Sequence, residues 1–307
     1  MRSVALIFPG QGAQKLGMGL EFYQSSKAAR KIFDEADMIC PNLSKVIFDG
    51  PEEKLTSTAF CQPAILTMSI AALRAFEAHE AYKKINVSFA AGLSLGEYSA
   101  LVASGSINFS DALRLVQQRA AFMEEAALMT QGSMAAVIGF DHDKLAQICI
   151  QSGAQIANFN SHEQIVITGS KQAVESAIGS IKAQGGQKII PLSVSGGFHS
   201  SLMSSAASKF KIVLNDVNIN PSLITVLSNV TAQPHQDAAG MRLNLELQIT
   251  SSVQWVRSVE YIVSRGVTNF IEIGPGRVLK GLMRRINPSA NVFNIEKPSD
   301  IDNLPLP

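Results

Sequence analysis

The chain of 307 residues has little net charge: 26 Lys and Arg stand against 25 Asp and Glu, a formal net charge of +1. A field that weak does not concentrate a polyanion without a local patch, so nucleic acid is not expected as a partner. Cysteine is scarce too. Cys40, Cys61 and Cys149 are odd in number and widely spaced, with no C-x-x-C pair. That excludes a disulfide framework and a zinc site, leaves no metal expected, and fits a reducing cytoplasm. Long apolar runs are also missing. Val4 to Phe8 ends at Pro9-Gly10, too short for the apolar core of a secretory signal, and the run from Cys61 to Leu73 stops at Arg74. It falls short of the roughly 18 apolar residues that a bilayer span requires, so no membrane is expected as a partner. No internal repeat or low-complexity segment is found.

The composition that remains, 46% hydrophobic and 17% charged, is that of a folded globular protein. The length suits one large domain or two smaller ones. Val4 to Phe8 and Val87 to Ala91 read as buried strands. Gly17 to Asp37, Phe60 to Glu80 and Leu95 to Ser104 read as helices, the last with Gly105 as its stop, and Ser110 is expected to cap a further helix reaching about Leu128. Strands and helices that alternate imply an α/β sheet covered on both faces. From Gly132 to Val194 the order becomes β-α-β-β-α-β, the ferredoxin-like motif, which fits an inserted small domain over 131–195 within a large domain of 1–130 and 196–307. After it the α/β pattern returns, with strands near Ile224 to Leu227 and Asn269 to Ile273 and a last helix from Arg277. The tail IEKPSDIDNLPLP, with three prolines, is expected to fray.

Gly92-Leu93-Ser94-Leu95-Gly96 matches G-x-S-x-G, directly after a strand and directly before a helix. That context is what a nucleophile elbow requires: small residues let strand and helix approach, and the serine oxygen is raised at the helix N-terminus. The backbone N–H of Leu95 can then face a developing oxyanion. A serine at its ordinary pKa is a poor nucleophile and needs a base. Of the five histidines, His79, His142, His162 and His235 sit among charged or polar residues and read as solvated surface groups. His199 differs, since Ser195-Gly-Gly-Phe-His-Ser200 lies between a strand and a helix where the chain returns to the main sheet, and it is the candidate base.

Gly10-Gln11-Gly12 follows the first strand but fails both phosphate-loop patterns, because Lys15 and Met18 stand where glycine and lysine are needed. It is either a second oxyanion donor or a plain glycine turn. Arg119 shares a helix face with Leu115, Val116, Phe122 and Met123, and has no Asp or Glu three or four residues away. A guanidinium on an apolar face needs an anion. A substrate carboxylate suits its planar fork; a distant acid or snorkelling to water is the alternative. Ile271-Glu-Ile-Gly-Pro-Gly276 opens another helix, which could receive an anion but more often marks tight packing. Arg277, Lys280, Arg284 and Arg285 form a solvated face or a docking patch for an acidic protein.

Taken together, FPGQGAQKLGMG (8–19), QPAI (62–65), GLSLGEYSALVASG (92–105), QQRAAFM (117–123), ANFNS (157–161), GGFHSSLM (196–203), SNVTA (228–232), QITSSVQW (248–255) and EIGPGRVLKGL (272–282) resemble the malonyl-CoA:acyl carrier protein transacylase family. The resemblance implies an α/β-hydrolase-like large domain with a parallel sheet plus an inserted ferredoxin-like small domain, and an active site between them. It implies Ser94 as acyl acceptor, His199 as base and Arg119 as clamp on the malonyl carboxylate. Gln11 and Leu95 would supply oxyanion N–H groups, the backbone near Gln248 would orient His199, and Gln62 would line the pocket. Malonyl-CoA and acyl carrier protein are the implied partners, the coenzyme A thioester is a substrate, no separate cofactor is called for, and a cytoplasmic monomer is expected. Two departures stand out: Leu93 replaces the histidine common before the nucleophile, so any contribution of that imidazole to polarity or acyl-CoA contact is missing, and Ser252 replaces a frequent proline, which is expected to matter only to local rigidity. The rival enzyme is an α/β-hydrolase esterase, in which an acid normally separates serine from a late histidine.

Overall fold

The computed structural model describes residues 3–305. Among the described residues nine strands are formed: β1 (Ser3–Phe8), β2 (Asn86–Gly92), β3 (Gly132–Ile138), β4 (Gln155–Phe159), β5 (Gln164–Ser170), β6 (Lys188–Pro191), β7 (Thr225–Val226), β8 (Asn269–Ile273) and β9 (Asn291–Ile295). They build two sheets, one five-stranded in the order β7-β2-β1-β8-β9 and one four-stranded in the order β4-β5-β3-β6. All pairings in the first are parallel and all in the second are antiparallel.

The central strand β1 shows why the parallel sheet is buried on both faces. Val4, Leu6 and Phe8 point into one apolar cluster, with the Thr58–Glu77 and Phe109–Thr130 helices, while Ala5 and Ile7 point into another with the Trp255–Ser264 and Val278–Ile286 helices. Side chains alternate across a strand, so a run without polar residues serves both faces. In the antiparallel sheet, Ala135, Val137, Ile165 and Ile167 bury against the His142–Ser152 and Lys171–Ala183 helices. Their alternates Met134, Ala136 and Val166 face the large core instead. The element order and strand order are those of a ferredoxin-like unit. It is joined to the rest by backbone pairing as well: Val253 N–H donates to Ala157 at 2.8 Å and Phe159 N–H to Val253 at 2.9 Å.

Several expectations are corrected. The helix expected over 17–37 is two helices, Leu20–Ser25 and Lys27–Ile39, because Ser26 leaves helical geometry and its hydroxyl accepts from Ala29 N–H. Asn108, not Ser110, caps the Phe109–Thr130 helix, its side chain accepting from Asp111 N–H, while Ser110 hydrogen-bonds Glu35. The Thr58–Glu77 helix is long and apolar enough to cross a membrane by length and composition, contrary to the reading of its apolar run as too short. Its residues from Cys61 to Leu73 are all buried in the protein core. The tail is ordered as far as it is described: Asp300 accepts from Lys297 N–H at the start of the Pro298–Asp302 helix and Ile301 is buried, with the final two residues outside the described range. Ser252 does more than relax the chain, since its hydroxyl donates to the Ile156 carbonyl in β4 and ties the segment before the Trp255–Ser264 helix to the four-stranded sheet.

Candidate active site

The C-terminal ends of β1 and β2 lie side by side, with Phe8 opposite Gly92. Ser94 follows β2 at φ 52°, a left-handed conformation that a non-glycine residue keeps only where its surroundings enforce it. The enforcement comes from glycine. A Cβ on Gly92 would sit 1.9 Å from the Gly96 carbonyl carbon, and one on Gly96 would sit 2.2 Å from the Phe8 carbonyl oxygen. Only a glycine pair lets strand, turn and helix close this tightly. Asn229 then locks the turn from outside, its Oδ1 accepting from Ser94 N–H at 2.6 Å and its Nδ2 donating to Gly92 O at 2.7 Å.

His199 also stands at a positive φ, 58°, and its ring meets the serine: Ser94 Oγ lies 2.8 Å from Nε2. Nδ1 lies 2.8 Å from the carbonyl oxygen of Gln248. A carbonyl only accepts, so Nδ1 carries the proton and Nε2 is left as acceptor for the serine hydroxyl. Gln248 is the last residue of the Ala238–Gln248 helix, where carbonyls have no partner within the helix and the helix dipole is negative. That carbonyl thus occupies the place of a triad acid. His199 is 5% exposed; burial, and next the Arg119 charge, push its pKa down to about 4, against the opposing pull of the Gln248 and Ser251 carbonyls. Neutral pH therefore finds His199 as a free base.

Arg119 is 1% exposed, which rules out snorkelling, and no Asp or Glu among the described residues comes within ion-pair distance of it, which rules out the distant acid. Its guanidinium donates to neutral acceptors instead: Gln62 Oε1 at 2.6 Å, Gln248 Oε1 at 3.0 Å and Ser94 Oγ at 3.0 Å. It also lies 5.5 Å from the centre of the Tyr98 ring, a favourable cation–π placement. Burial lowers its pKa, yet a guanidinium holds its proton at any ordinary pH. A buried cation with only neutral partners is set to receive an anion.

These groups line a cavity of about 510 Å³ between the two sheets. Ser94 follows β2 of the parallel sheet and Gln62 and Arg119 come from the helices packed on it, while Met134, Asn158 and Val166 come from β3, β4 and β5 of the antiparallel sheet. Gln11 and Leu95 line it as well, and among the described residues neither backbone N–H donates a hydrogen bond, so both are open to an oxyanion. Arg277 and Arg285 stand at its rim. Gln248 reaches the site through its hydrogen bonds to Arg119, Ser94 and His199.

The other glycine turn is closed to external anions. Glu272 fills the amide end of its helix, Oε1 accepting from Leu279 N–H and Oε2 from Lys280 N–H, each at 2.9 Å. His142 and His162 are exposed and His79 is half-buried, but His235 is a correction: its side chain is buried, with Nε2 2.8 Å from Glu97 Oε1. Asn229 and Glu97 escaped the sequence reading although both lie inside blocks that carry the resemblance, Glu97 three residues past the serine.

An activated serine beside open amides, in a cleft over the C-terminal edge of a parallel sheet, is the site of an acyl-transfer enzyme of α/β-hydrolase-like architecture. Residues 5–292 match the family model described as an acyl transferase domain, and the chain belongs to the malonyl CoA-acyl carrier protein transacylase family. It is 43% identical to the malonyl CoA-acyl carrier protein transacylase of Bacillus subtilis strain 168 over 308 residues, 98% of this chain and 96% of that relative. The crystal structure of the transacylase from Clostridium perfringens superimposes with a TM-score of 0.92 at 36% identity, covering 98% of this chain and 95% of that one. A structure described as a type II PKS acyl-carrier protein in complex with its malonyl-transacylase matches with a TM-score of 0.93 at 36% identity and 98% coverage of both chains.

Proposed function

We propose that this protein moves a malonyl group from malonyl-CoA to the phosphopantetheine thiol of an acyl carrier protein through a malonyl-serine intermediate, supplying fatty acid synthesis. The observation that carries the reading is the buried Arg119 guanidinium, held by neutral partners and 3.0 Å from the Ser94 hydroxyl. It stands where the carboxylate of a malonyl group on that serine would meet it. Acetyl brings no carboxylate and would leave the cation without an anion, so Arg119 selects between the two by the cost of an unpaired buried charge.

In the first half-reaction His199 Nε2 takes the Ser94 proton while Oγ attacks the thioester carbon. The oxyanion that forms is held by the N–H groups of Gln11 and Leu95. Collapse breaks the C–S bond, and the coenzyme A sulfur leaves with the proton from His199. In the second, the carrier thiol gives its proton to His199 as its sulfur attacks the malonyl ester, and Ser94 Oγ departs with that proton restored. The Gln248 carbonyl and the helix end behind it stabilise the imidazolium present in each step. The chemistry needs no cofactor beyond the thioester substrate. The reaction is assigned to the cytoplasm, where Cys40, Cys61 and Cys149, all free and buried, stay reduced.

The esterase alternative is tested by discharge of the acyl-enzyme. Malonyl-enzyme that persists in water and empties quickly onto a phosphopantetheine-bearing carrier supports the transferase; equal rates of loss with and without the carrier overturn it.

A further inference from the structure

The mechanism above uses no carboxylate of the protein, yet one is buried three residues past the nucleophile. Glu97, in the first turn of the Gly96–Ala103 helix, is 1% exposed. One of its oxygens, Oε1, lies 2.8 Å from His235 Nε2. The other accepts from Gln248 Nε2 at 2.5 Å and from Asn229 N–H at 3.2 Å. Asn244 Nδ2 lies 3.4 Å from His235 Nδ1, so the ring accepts there and donates to Glu97 from Nε2. A merely structural hydrogen bond would end at His235. This one continues, because both remaining partners of Glu97 touch the reacting groups.

Gln248 is the central link. Its amide nitrogen is committed to Glu97 and to Ser94 O at 3.0 Å, which turns its amide oxygen toward Arg119. An amide placed between a cation and a carboxylate has one stable orientation, oxygen to the cation and nitrogen to the anion. Flipping it would set N–H against guanidinium and oxygen against carboxylate. Glu97 therefore fixes the orientation of Gln248, and Gln248 helps fix the guanidinium. The Glu97 charge also favours the charged form of Arg119 directly.

We propose that Glu97, tethered by His235, is a positioning residue that sets the Gln248 amide and through it holds Arg119 aimed at the malonyl carboxylate, so that malonyl selectivity depends on this buried acid. The inference rests on the transferase reading above and adds the group that supports its selector.

The test compares kcat/KM for malonyl-CoA and acetyl-CoA in transfer to the carrier, for wild type, E97Q, E97D and H235Q. In E97Q the shape is kept and the charge removed, so Gln248 has no anion to orient it. The malonyl to acetyl ratio falls about tenfold or more, mostly through KM for malonyl-CoA, on the scale of a charged hydrogen bond. E97D restores part of the ratio. A folded E97Q enzyme with the wild-type ratio, or with equal losses for both donors, overturns the proposal, since a merely structural carboxylate would do that. If E97Q does not fold, H235Q decides: the carboxylate stays but its ring tether goes, and a lowered ratio supports the proposal while an unchanged ratio overturns it. A wild-type enzyme with no malonyl preference would instead sink the functional reading on which this rests.

Discussion

Two strand–glycine–helix turns emerge from the same edge of the parallel sheet, one after β2 and one after β8, and they end in opposite states. In the first, Gly92 to Gly96, the backbone N–H of Leu95 has no partner among the described residues, and Leu95 lines the cavity. In the second, Gly274 to Gly276, the chain's own Glu272 occupies the helix amides, and Asn294 Nδ2 donates to that carboxylate at 2.8 Å. The motif is shared, and so is the capacity to hold negative charge at a helix N-terminus. What separates a reactive turn from a structural one is whether that capacity is already used. Satisfied amides stabilise the fold; unsatisfied ones, in a water-poor cleft, are available to a transition state.

The contrast is broken most completely at Ser94. Ser94→Ala removes the acyl acceptor, and transfer measured with malonyl-CoA and carrier should fall by about a thousandfold or more. Arg119→Ala should lower the malonyl to acetyl ratio of kcat/KM by about ten- to a hundredfold while acetyl transfer suffers less, read in the same assay with both donors. At the second turn, Glu272→Ala orphans the N–H groups of Leu279 and Lys280. It should cost about 1 to 3 kcal/mol in denaturant unfolding with the malonyl to acetyl ratio unchanged. A ratio that moved with Glu272 would show that the two turns are not separable in function.

The smallest effect is in the pH profile. The His199 pKa of about 4 in the folded protein, against 6.5 for an ordinary histidine, means that the base remains unprotonated well below neutrality. The acid limb of kcat/KM should therefore lie well under 6.5 in wild type and move upward in Arg119→Ala, since the Arg119 charge is the second cause of the depression. Between 6.5 and about 4 the unfolded chain binds a proton that the folded one refuses. This part of the stability is complete above that window and is lost as pH falls through it.

The sequence displayed groups whose chemistry is tied to a local pattern. G-x-S-x-G marks Ser94, a glycine hinge marks His199, and an arginine without a helical partner marks Arg119. The structure brings all three to one cavity. It also shows what local pattern could not display. His235 lies in TAQPHQD, polar enough to read as surface, yet it is buried against Glu97, a partner 138 residues earlier that no local pattern points to. Gln248 is chosen by its place at a helix end, which depends on where that helix stops. The same holds for the fold. Alternation of strands and helices pointed to both sheets but missed the edge strand β9, which follows the helix read as the last, while the break at Ser26 and the cap at Asn108 hang on single hydrogen bonds that competing Ser residues could equally have made.

The central claim is that Ser94 takes a malonyl group and hands it to a carrier. Intact-protein mass spectrometry, after brief mixing with malonyl-CoA or acetyl-CoA, tests it most directly. Wild type and Ser94→Ala are compared, and phosphopantetheine-bearing carrier protein is then added. The account predicts one malonyl adduct on wild type, none on Ser94→Ala, little from acetyl-CoA, and movement of the adduct onto the carrier. A malonyl adduct that survives Ser94→Ala, or one that is lost to water as fast as to the carrier, would contradict it.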